Sequence, residues 1–504
     1  MRKSHSFVTF LVALATIFVV ACGKKSSRGQ MPAPAPVAPS TPAPTTASGA
    51  QPEQNPYTDS YPNAPKDIRS HLDQIKNLRK QNCTAGEQIK SFNVAANSGD
   101  AVSTPFFYRH QTRENSEKTI IFFPPSLVED FLPLRESGFK KTYHFNIISF
   151  DYRGLGCNSR PEFAPANISS EKILEDVRSL IQHLNLNPKD LIFWGAGFGS
   201  IMAQKLAMEY ETAQTPVSAL VVESPIQYQD DNSRLSQHQT LWSEIKEFAK
   251  DGLSKKTPTV HSYDIPLINF KLFWGGEVRF GEKLQYTDQQ WGIFVQSELQ
   301  KGFESNIINL LKNYNSANWN KNSTEQLKSQ IQQAYTKAHF LDDQIRFRNT
   351  IMCRELVDNI GGNLSDIIVQ SHQGAESNVL LIGSYEHCNK FLSEHKLTRS
   401  PFELSSIHLE KTTTLLVVGS RDPNLNKDEI DTENYKNLVY LNILGGGHIP
   451  LLGGHQNTCT DKLIQKLVAA PLDEDSISEL LFSKTCFPSR KNGDDTIFLR
   501  ITGN

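Results

Sequence analysis

Short runs of apolar residues, rich in β-branched and aromatic side chains, recur along the chain and predict the strands of one sheet. The runs are apolar throughout rather than alternating, which is typical of strands buried on both faces of a parallel sheet. Helical periodicity at 170–184, and again at 200–210, lies between them. The predicted strands are 118–123, 145–150, 191–194, 218–222, 413–418 and 438–441. The pattern therefore predicts an α/β protein with a mostly parallel central sheet and helices on both faces.

The strand pattern is interrupted by a long polar stretch with helical character. We predict helices at 282–313, 323–338 and 342–359, and a further helix at 459–469 after the strands resume. The organisation expected is a first part of the core at 76–225, a large helical lid at 226–410, a second part of the core at 411–490 and a C-terminal tail at 491–504.

The N-terminus has the form of an export signal. Arg2 and Lys3 precede an apolar stretch at 7–21 that is too short for a stable membrane span. Cys22 follows at once and is itself followed by Gly23, an arrangement that resembles the bacterial lipobox. The resemblance implies a signal peptide at 1–21, acylation of Cys22 and attachment to the lipid bilayer. The expected location is the bacterial cell envelope, at the outer membrane facing the periplasm. The alternative is an ordinary signal peptide with an incidental cysteine.

Composition indicates a linker and disulfides, and it bears on which partners and cofactors the protein could have. Residues 22–75 form a Pro/Ala-rich linker, in which proline favours an extended spacer. The net charge is −2 and the body has no basic tract, which argues against nucleic acid as a partner. Six cysteines remain after Cys22, and an even number in an exported protein suggests disulfides whose pairing is open. No closely spaced Cys-x-x-Cys pairs occur, which argues against a zinc site or a thioredoxin-type motif. We expect neither a metal nor another cofactor.

Residues 195–199, Gly-Ala-Gly-Phe-Gly, connect a predicted strand to a predicted helix. A strand, a Gly-x-nucleophile-x-Gly turn and a helix form the nucleophile elbow of α/β-hydrolases. Gly197 stands at the nucleophile position, and the N–H of Phe198 would be one oxyanion donor. Asp422 and His448 each follow a later strand, in the order acid then histidine that this fold uses. We therefore expect a catalytic site at Gly197, Asp422 and His448 whose nucleophile is substituted.

Longer segments resemble one family, the tripeptidyl-aminopeptidase-like and proline-iminopeptidase-like α/β-hydrolases, over about 83–486. The resemblance is carried by 151–159 (Asp-Tyr-Arg-Gly-Leu-Gly-Cys-Asn-Ser), by 194–199 and by 221–225. It implies the α/β-hydrolase fold with a helical lid and a peptide or small acyl ligand beneath that lid. It also implies the disulfides Cys83–Cys157, Cys353–Cys388 and Cys459–Cys486.

Two departures from that family bear on activity. The first is Gly197, which has no side chain to attack a carbonyl. The second is Phe123-Pro124-Pro125, where the family has His-Gly-Gly-Pro-Gly. Proline has no backbone N–H, so this loop cannot supply an oxyanion donor. We therefore expect a catalytically impaired peptidase homologue that binds a ligand or a protein.

Two enzymatic alternatives stay open at this stage. One is a hydrolase with a displaced nucleophile, for which Ser126 and Ser200 are the candidates, with His455 as a rival of His448. The other is an enzyme in which Asp422 and His448 act as a general base without a serine.

Overall fold

The computed structural model describes part of the chain, all of it within the compact unit Asn55–Asn504. The described residues are 64–84, 86, 89–96, 103–114, 116–132, 144–225, 294, 297, 321–356, 388–400, 407–419, 422, 430, 432–443, 451, 458–468, 479–480 and 497–502. The features predicted outside these residues are the signal peptide, Cys22, most of the linker, nearly all of the helix at 282–313, His448, His455 and Cys486.

Nine described strands form a single sheet in the order β1-β2-β4-β3-β5-β6-β7-β8-β9. Neighbouring strands from β4 to β8 in this order pair in parallel, while β1, β2 and β9 join at the two edges in antiparallel pairing. The strands are β1 Ile89–Ala95, β2 Ser103–Gln111, β3 Thr119–Phe123, β4 Asn146–Phe150, β5 Leu191–Ala196, β6 Ala219–Glu223, β7 Thr413–Gly419, β8 Leu438–Ile443 and β9 Ile497–Thr502. The predicted mostly parallel sheet is confirmed.

Helices cover both faces of this sheet, as the continuous apolar strands predict. Alternate residues of β5 enter different cores, Phe193 the one that contains α2 and α3 and Trp194 the one that contains α6. The helices are α1 Lys66–Asn82, α2 Ser170–His183, α3 Phe198–Thr212, α4 Lys321–Lys337, α5 Asp342–Ile351 and α6 Thr458–Val468. Ser169 caps α2 by accepting a hydrogen bond from the N–H of Lys172 at 3.2 Å.

Several elements differ from the sequence-based expectation. Helix α1 begins within the segment assigned to the linker, because Ile68, Leu72 and Ile75 give it an apolar stripe that packs on Leu341. Strand β1 was not predicted, since it exposes most of its side chains. The mostly buried β2 was missed as well. Strand β9 lies in the segment expected to be a tail. The helix predicted at 342–359 consists of α5 followed by a π-helical turn, Met352–Leu356.

Two disulfides cross-link the described part of the chain. Cys83, after α1, is bonded to Cys157 with a Cα–Cα distance of 5.0 Å. Cys353 is bonded to Cys388, also at 5.0 Å. Both pairings implied by the family resemblance are therefore confirmed. The third implied pair stays a prediction, because Cys486 lies outside the described residues.

Candidate functional site

The turn between β5 and α3 has the geometry of a nucleophile elbow. Gly197 adopts φ +50° and ψ −122°, in the positive-φ region that side chains rarely enter. A Cβ on Gly195 would lie 2.2 Å from the carbonyl oxygen of Gly199, and one on Gly199 would lie 2.2 Å from that of Phe123. Only glycine fits at these two flanks, so the sequence produces the tight turn but places no nucleophile at its centre.

The backbone N–H expected to form the oxyanion hole already has a partner. Phe198 donates its N–H to the carbonyl oxygen of Pro125 at 3.1 Å. In this structure the loop after β3 engages this N–H, and its expected role as an oxyanion donor to a ligand stays a prediction. The neighbouring Pro124 and Pro125 have no N–H to offer in its place.

Aromatic side chains cover the same loop. The hydroxyl of Tyr152 donates to the carbonyl oxygen of Pro124 at 2.8 Å. Its ring lies parallel to that of Phe347 on α5, with centroids 6.0 Å apart, and meets the ring of Phe198 edge-on at 5.4 Å. All three rings are buried. Helix α5, in the segment predicted to be the lid, is therefore linked to the start of α3 through Tyr152.

The predicted acid lies at the carboxyl edge of the sheet, as expected. Asp422 follows β7, is 3% exposed, and donates its N–H to the carbonyl oxygen of Gly419 at 3.1 Å. Gly197 follows β5 at the same edge, with β6 between the two strands. His448 lies outside the described residues, so its predicted pairing with Asp422 remains a prediction.

A second buried carboxylate, at the end of β6, escaped the sequence analysis as a site residue. Glu223 is completely buried and accepts hydrogen bonds from the indole N–H of Trp194 at 3.3 Å and from the N–H of Leu451. Its backbone carbonyl accepts the N–H of Gly197 at 2.9 Å. The sequence did offer a signal for Glu223, because a charged residue ends an otherwise apolar strand. In the sequence analysis, the segment 221–225 served only as part of the family resemblance. Glu223 joins the elbow to the segment that follows β8.

The two serines considered as displaced nucleophiles have structural roles. Ser200 is buried and donates its hydroxyl to the carbonyl oxygen of Gly197 at 2.6 Å. The hydroxyl oxygen of Ser126 accepts the N–H groups of Val128 and Glu129 at 3.1 and 3.0 Å, as in a turn that the side chain caps. Neither arrangement presents an activated hydroxyl at the elbow.

Buried acidic groups hold the loop after β3 from its far end. Asp151 accepts the N–H groups of Phe131 and Leu132 at 2.5 and 3.1 Å, and that of Cys157 at 2.8 Å. Burial raises the pKa of Asp151, and the neighbouring carboxylate of Asp130 raises it further. The Asp151 side chain therefore holds three backbone N–H groups, two after β3 and one in the 151–159 segment.

No group of three or more His, Cys, Asp or Glu side chains in the described part of the chain is arranged to hold a metal ion. None of its helices has the length and apolar character needed to cross a membrane.

Known proteins share sequence or structural similarity with this chain. Residues 115–260 match a family model described as alpha/beta hydrolase fold, while a search of curated proteins found no match. Similar solved structures include a proline iminopeptidase from Mycobacterium smegmatis, with 11% identity over 76% of this chain and 99% of that chain and a TM-score of 0.38. Est816, described as an N-acyl homoserine lactone degrading enzyme, has 13% identity over 74% and 99%, with a TM-score of 0.36. The epoxide hydrolase CorEH has 14% identity over 77% and 100%, with a TM-score of 0.33.

The fold assignment rests on the family match and on the geometry of the chain itself, not on these distant structures. The matched residues contain β3 to β6 and the elbow, and the remaining parallel strands continue the same sheet. This chain therefore has the α/β-hydrolase fold.

Proposed function

We propose that this protein is a catalytically impaired α/β-hydrolase that acts as a ligand- or protein-binding module in the bacterial cell envelope. The observation that carries the proposal is the elbow itself, where the turn geometry is present and Gly197 occupies its centre. The lipobox-like sequence at Cys22 supports attachment to the membrane, with the Pro/Ala-rich linker as a spacer between the bilayer and the body.

The expected losses in turnover are large enough that we expect no appreciable catalysis. Removing the serine nucleophile of a serine protease costs a factor of about 10⁶ in turnover. Loss of one oxyanion donor costs a further factor of about 10²–10³. Here the elbow residue has no hydroxyl, and the Phe198 N–H is bonded to Pro125. The two losses fall on the same step, the formation of a tetrahedral intermediate.

A displaced nucleophile is less well supported. A substitute serine would need an accessible hydroxyl beside a base. Ser200 is buried and bonded to the elbow carbonyl, and Ser126 caps a turn. The family resemblance favours a peptide or a small acyl compound as the ligand under the lid, by analogy with related hydrolases.

Labelling with a serine-directed phosphonate probe, together with turnover of ester and aminoacyl-amide substrates, tests the proposal. We expect the unmodified protein to show neither labelling nor appreciable turnover. Gly197→Ser restores the nucleophile, and it should be labelled at position 197 if Asp422 and His448 are aligned. Gly197→Ala is the matched control, because it adds a Cβ at the same positive φ without a hydroxyl. Labelling of the unmodified protein at Ser126 or Ser200, or substrate turnover by it, would overturn the proposal.

A further inference from the structure

We propose that the segment Phe123–Leu132 is an intramolecular plug that closes the acyl site, with the carbonyl oxygen of Pro125 lying where an α/β-hydrolase binds the oxygen of its substrate. The inference rests on the proposed function and deepens it, because Pro125 would have to move before a probe reached a serine restored at position 197, so labelling of Gly197→Ser would be slow. It is carried by three sets of contacts: at the start of α3, at Tyr152 and at Arg79.

The first contact gives a hydrogen-bond acceptor to the backbone N–H at the start of α3. Phe198 is the first residue of α3, and such an N–H has no acceptor within its own helix. In an active hydrolase of this fold, the N–H after the nucleophile is left for the substrate. Here the Pro125 carbonyl accepts it at 3.1 Å, in a buried environment where the positive end of the helix dipole also favours an oxygen. A substrate carbonyl would have to displace this internal one.

The second contact fixes the preceding peptide group. Tyr152 is 1% exposed and donates its hydroxyl to the Pro124 carbonyl at 2.8 Å. Moving the plug outward would leave this hydroxyl without its acceptor among buried rings, which is unfavourable. The Pro124–Pro125 peptide is also restricted, because the ring fixes φ of Pro125 and a residue before proline favours extended ψ, so the Pro124 carbonyl cannot easily rotate away.

The third set of contacts clamps the far end of the plug. Arg79 on α1 donates to both carboxylate oxygens of Asp130, through Nε and through Nη2 at 2.8 Å. The same guanidinium donates through Nη1 to Asp343 Oδ2 at 2.8 Å, in the first turn of α5. Gln344, also on α5, donates to Asp130 Oδ1 at 2.9 Å. One arginine thus joins the plug to α1 and to the lid helix, so lid and plug are held closed together.

Hydrogen exchange at the Phe198 amide, measured on the full-length protein by mass spectrometry with residue-level fragmentation, tests the plug. In the unmodified protein we expect this amide to be protected, although it is the first of its helix. Tyr152→Phe removes only the hydroxyl on Pro124 and should accelerate exchange at Phe198 about fivefold to tenfold, the effect of losing one hydrogen bond. Arg79→Gln should accelerate the same amide by releasing Asp130.

Each variant has a matched control. Tyr210→Phe removes a tyrosine hydroxyl from α3 itself, one that makes no hydrogen bond to any residue in the described segments. Arg178→Gln removes an arginine that pairs with two acids, Glu171 and Glu209, on the surface of α2 and α3. Both controls should leave exchange at Phe198 within twofold. Acceleration in either test variant, with protection in the parent, supports the plug.

The proposal is overturned if the parent amide exchanges at the rate of an unstructured peptide, or if neither test variant accelerates it beyond its control. These outcomes are independent of the labelling experiment. An unprotected Phe198 amide in an inactive protein would remove the plug and leave the proposed function. Turnover by a protein with a protected Phe198 amide would overturn the proposed function and would also show that the plug does not close the acyl site.

Discussion

The buried ion pair between Arg153 and Asp176 offers a sharp test of how the core is stabilised. Nε of Arg153 lies 2.7 Å from Asp176 Oδ2, and Nη2 lies 2.5 Å from Oδ1. The two side chains are 1% and 2% exposed. The remaining guanidinium hydrogens reach backbone carbonyls, among them Ala96 at 3.0 Å, and the group lies over the ring of Phe163. The pair thus connects the 151–159 segment to α2.

Asp176→Asn is the perturbation of choice, because it keeps the shape and removes the charge. Burial raises the pKa of Asp176 to about 6, while Arg153 lowers it, so at pH 7.5 the carboxyl is ionised in the parent. The variant leaves a buried cation facing one amide oxygen. Removing one partner of a buried pair typically costs about 3–5 kcal/mol, and we expect a loss in that range.

The matched control lies on the same helix. Glu171 also pairs with an arginine, Arg178, at 2.9 Å, but its side chain is 52% exposed. Glu171→Gln should therefore cost less than about 1 kcal/mol. Urea unfolding at pH 7.5, followed by intrinsic tryptophan fluorescence, compares both variants with the parent. If Asp176→Asn shifts the free energy of unfolding no more than Glu171→Gln does, the buried pair does not stabilise the fold and the reasoning is wrong.

Three further predictions concern anchoring, cross-linking and pH. Cys22→Ser should move the protein from the membrane to the soluble fraction and abolish acyl mass, and unchanged fractionation with no acyl mass in the parent would reject the lipobox. Replacing Cys83 and Cys157 by Ala should lower stability by about 4 kcal/mol, because the disulfide spans 74 residues; a loss below about 1 kcal/mol in urea unfolding would contradict this. Burial tends to raise the pKa of Glu211, but the three N–H groups and one hydroxyl that it accepts before β7 lower it on balance. Its contribution should therefore be present above its unfolded pKa of about 4.3 and be lost as the pH falls through the folded value. Glu211→Gln should be less stable than the parent at pH 7 and should approach it as the pH falls below the folded pKa of Glu211, and a constant difference would refute the assignment.

Local pattern was enough to predict the central elements. Continuous apolar strands and helical stripes predicted β3 to β8, α2 and α3 within a few residues, because burial on both faces leaves a strong periodic signal. Small residues at 195 and 199 predicted the elbow, since no side chain fits there. The same signal is weak at β1, whose side chains are mostly exposed, and that strand was missed. The two observed disulfides came from resemblance to a family, not from spacing.

The sequence alone determined that the elbow has no nucleophile and that the loop after β3 has two prolines without N–H groups. Only the tertiary structure decided what those prolines do, because a carbonyl oxygen is present in every residue and its acceptor role depends on which donor lies within reach. Phe198 is 73 positions from Pro125, and Arg79 is 264 positions from Asp343. No periodicity along the chain encodes such pairs. They arise when the sheet brings the β3 loop to the start of α3 and when α1 packs on the lid.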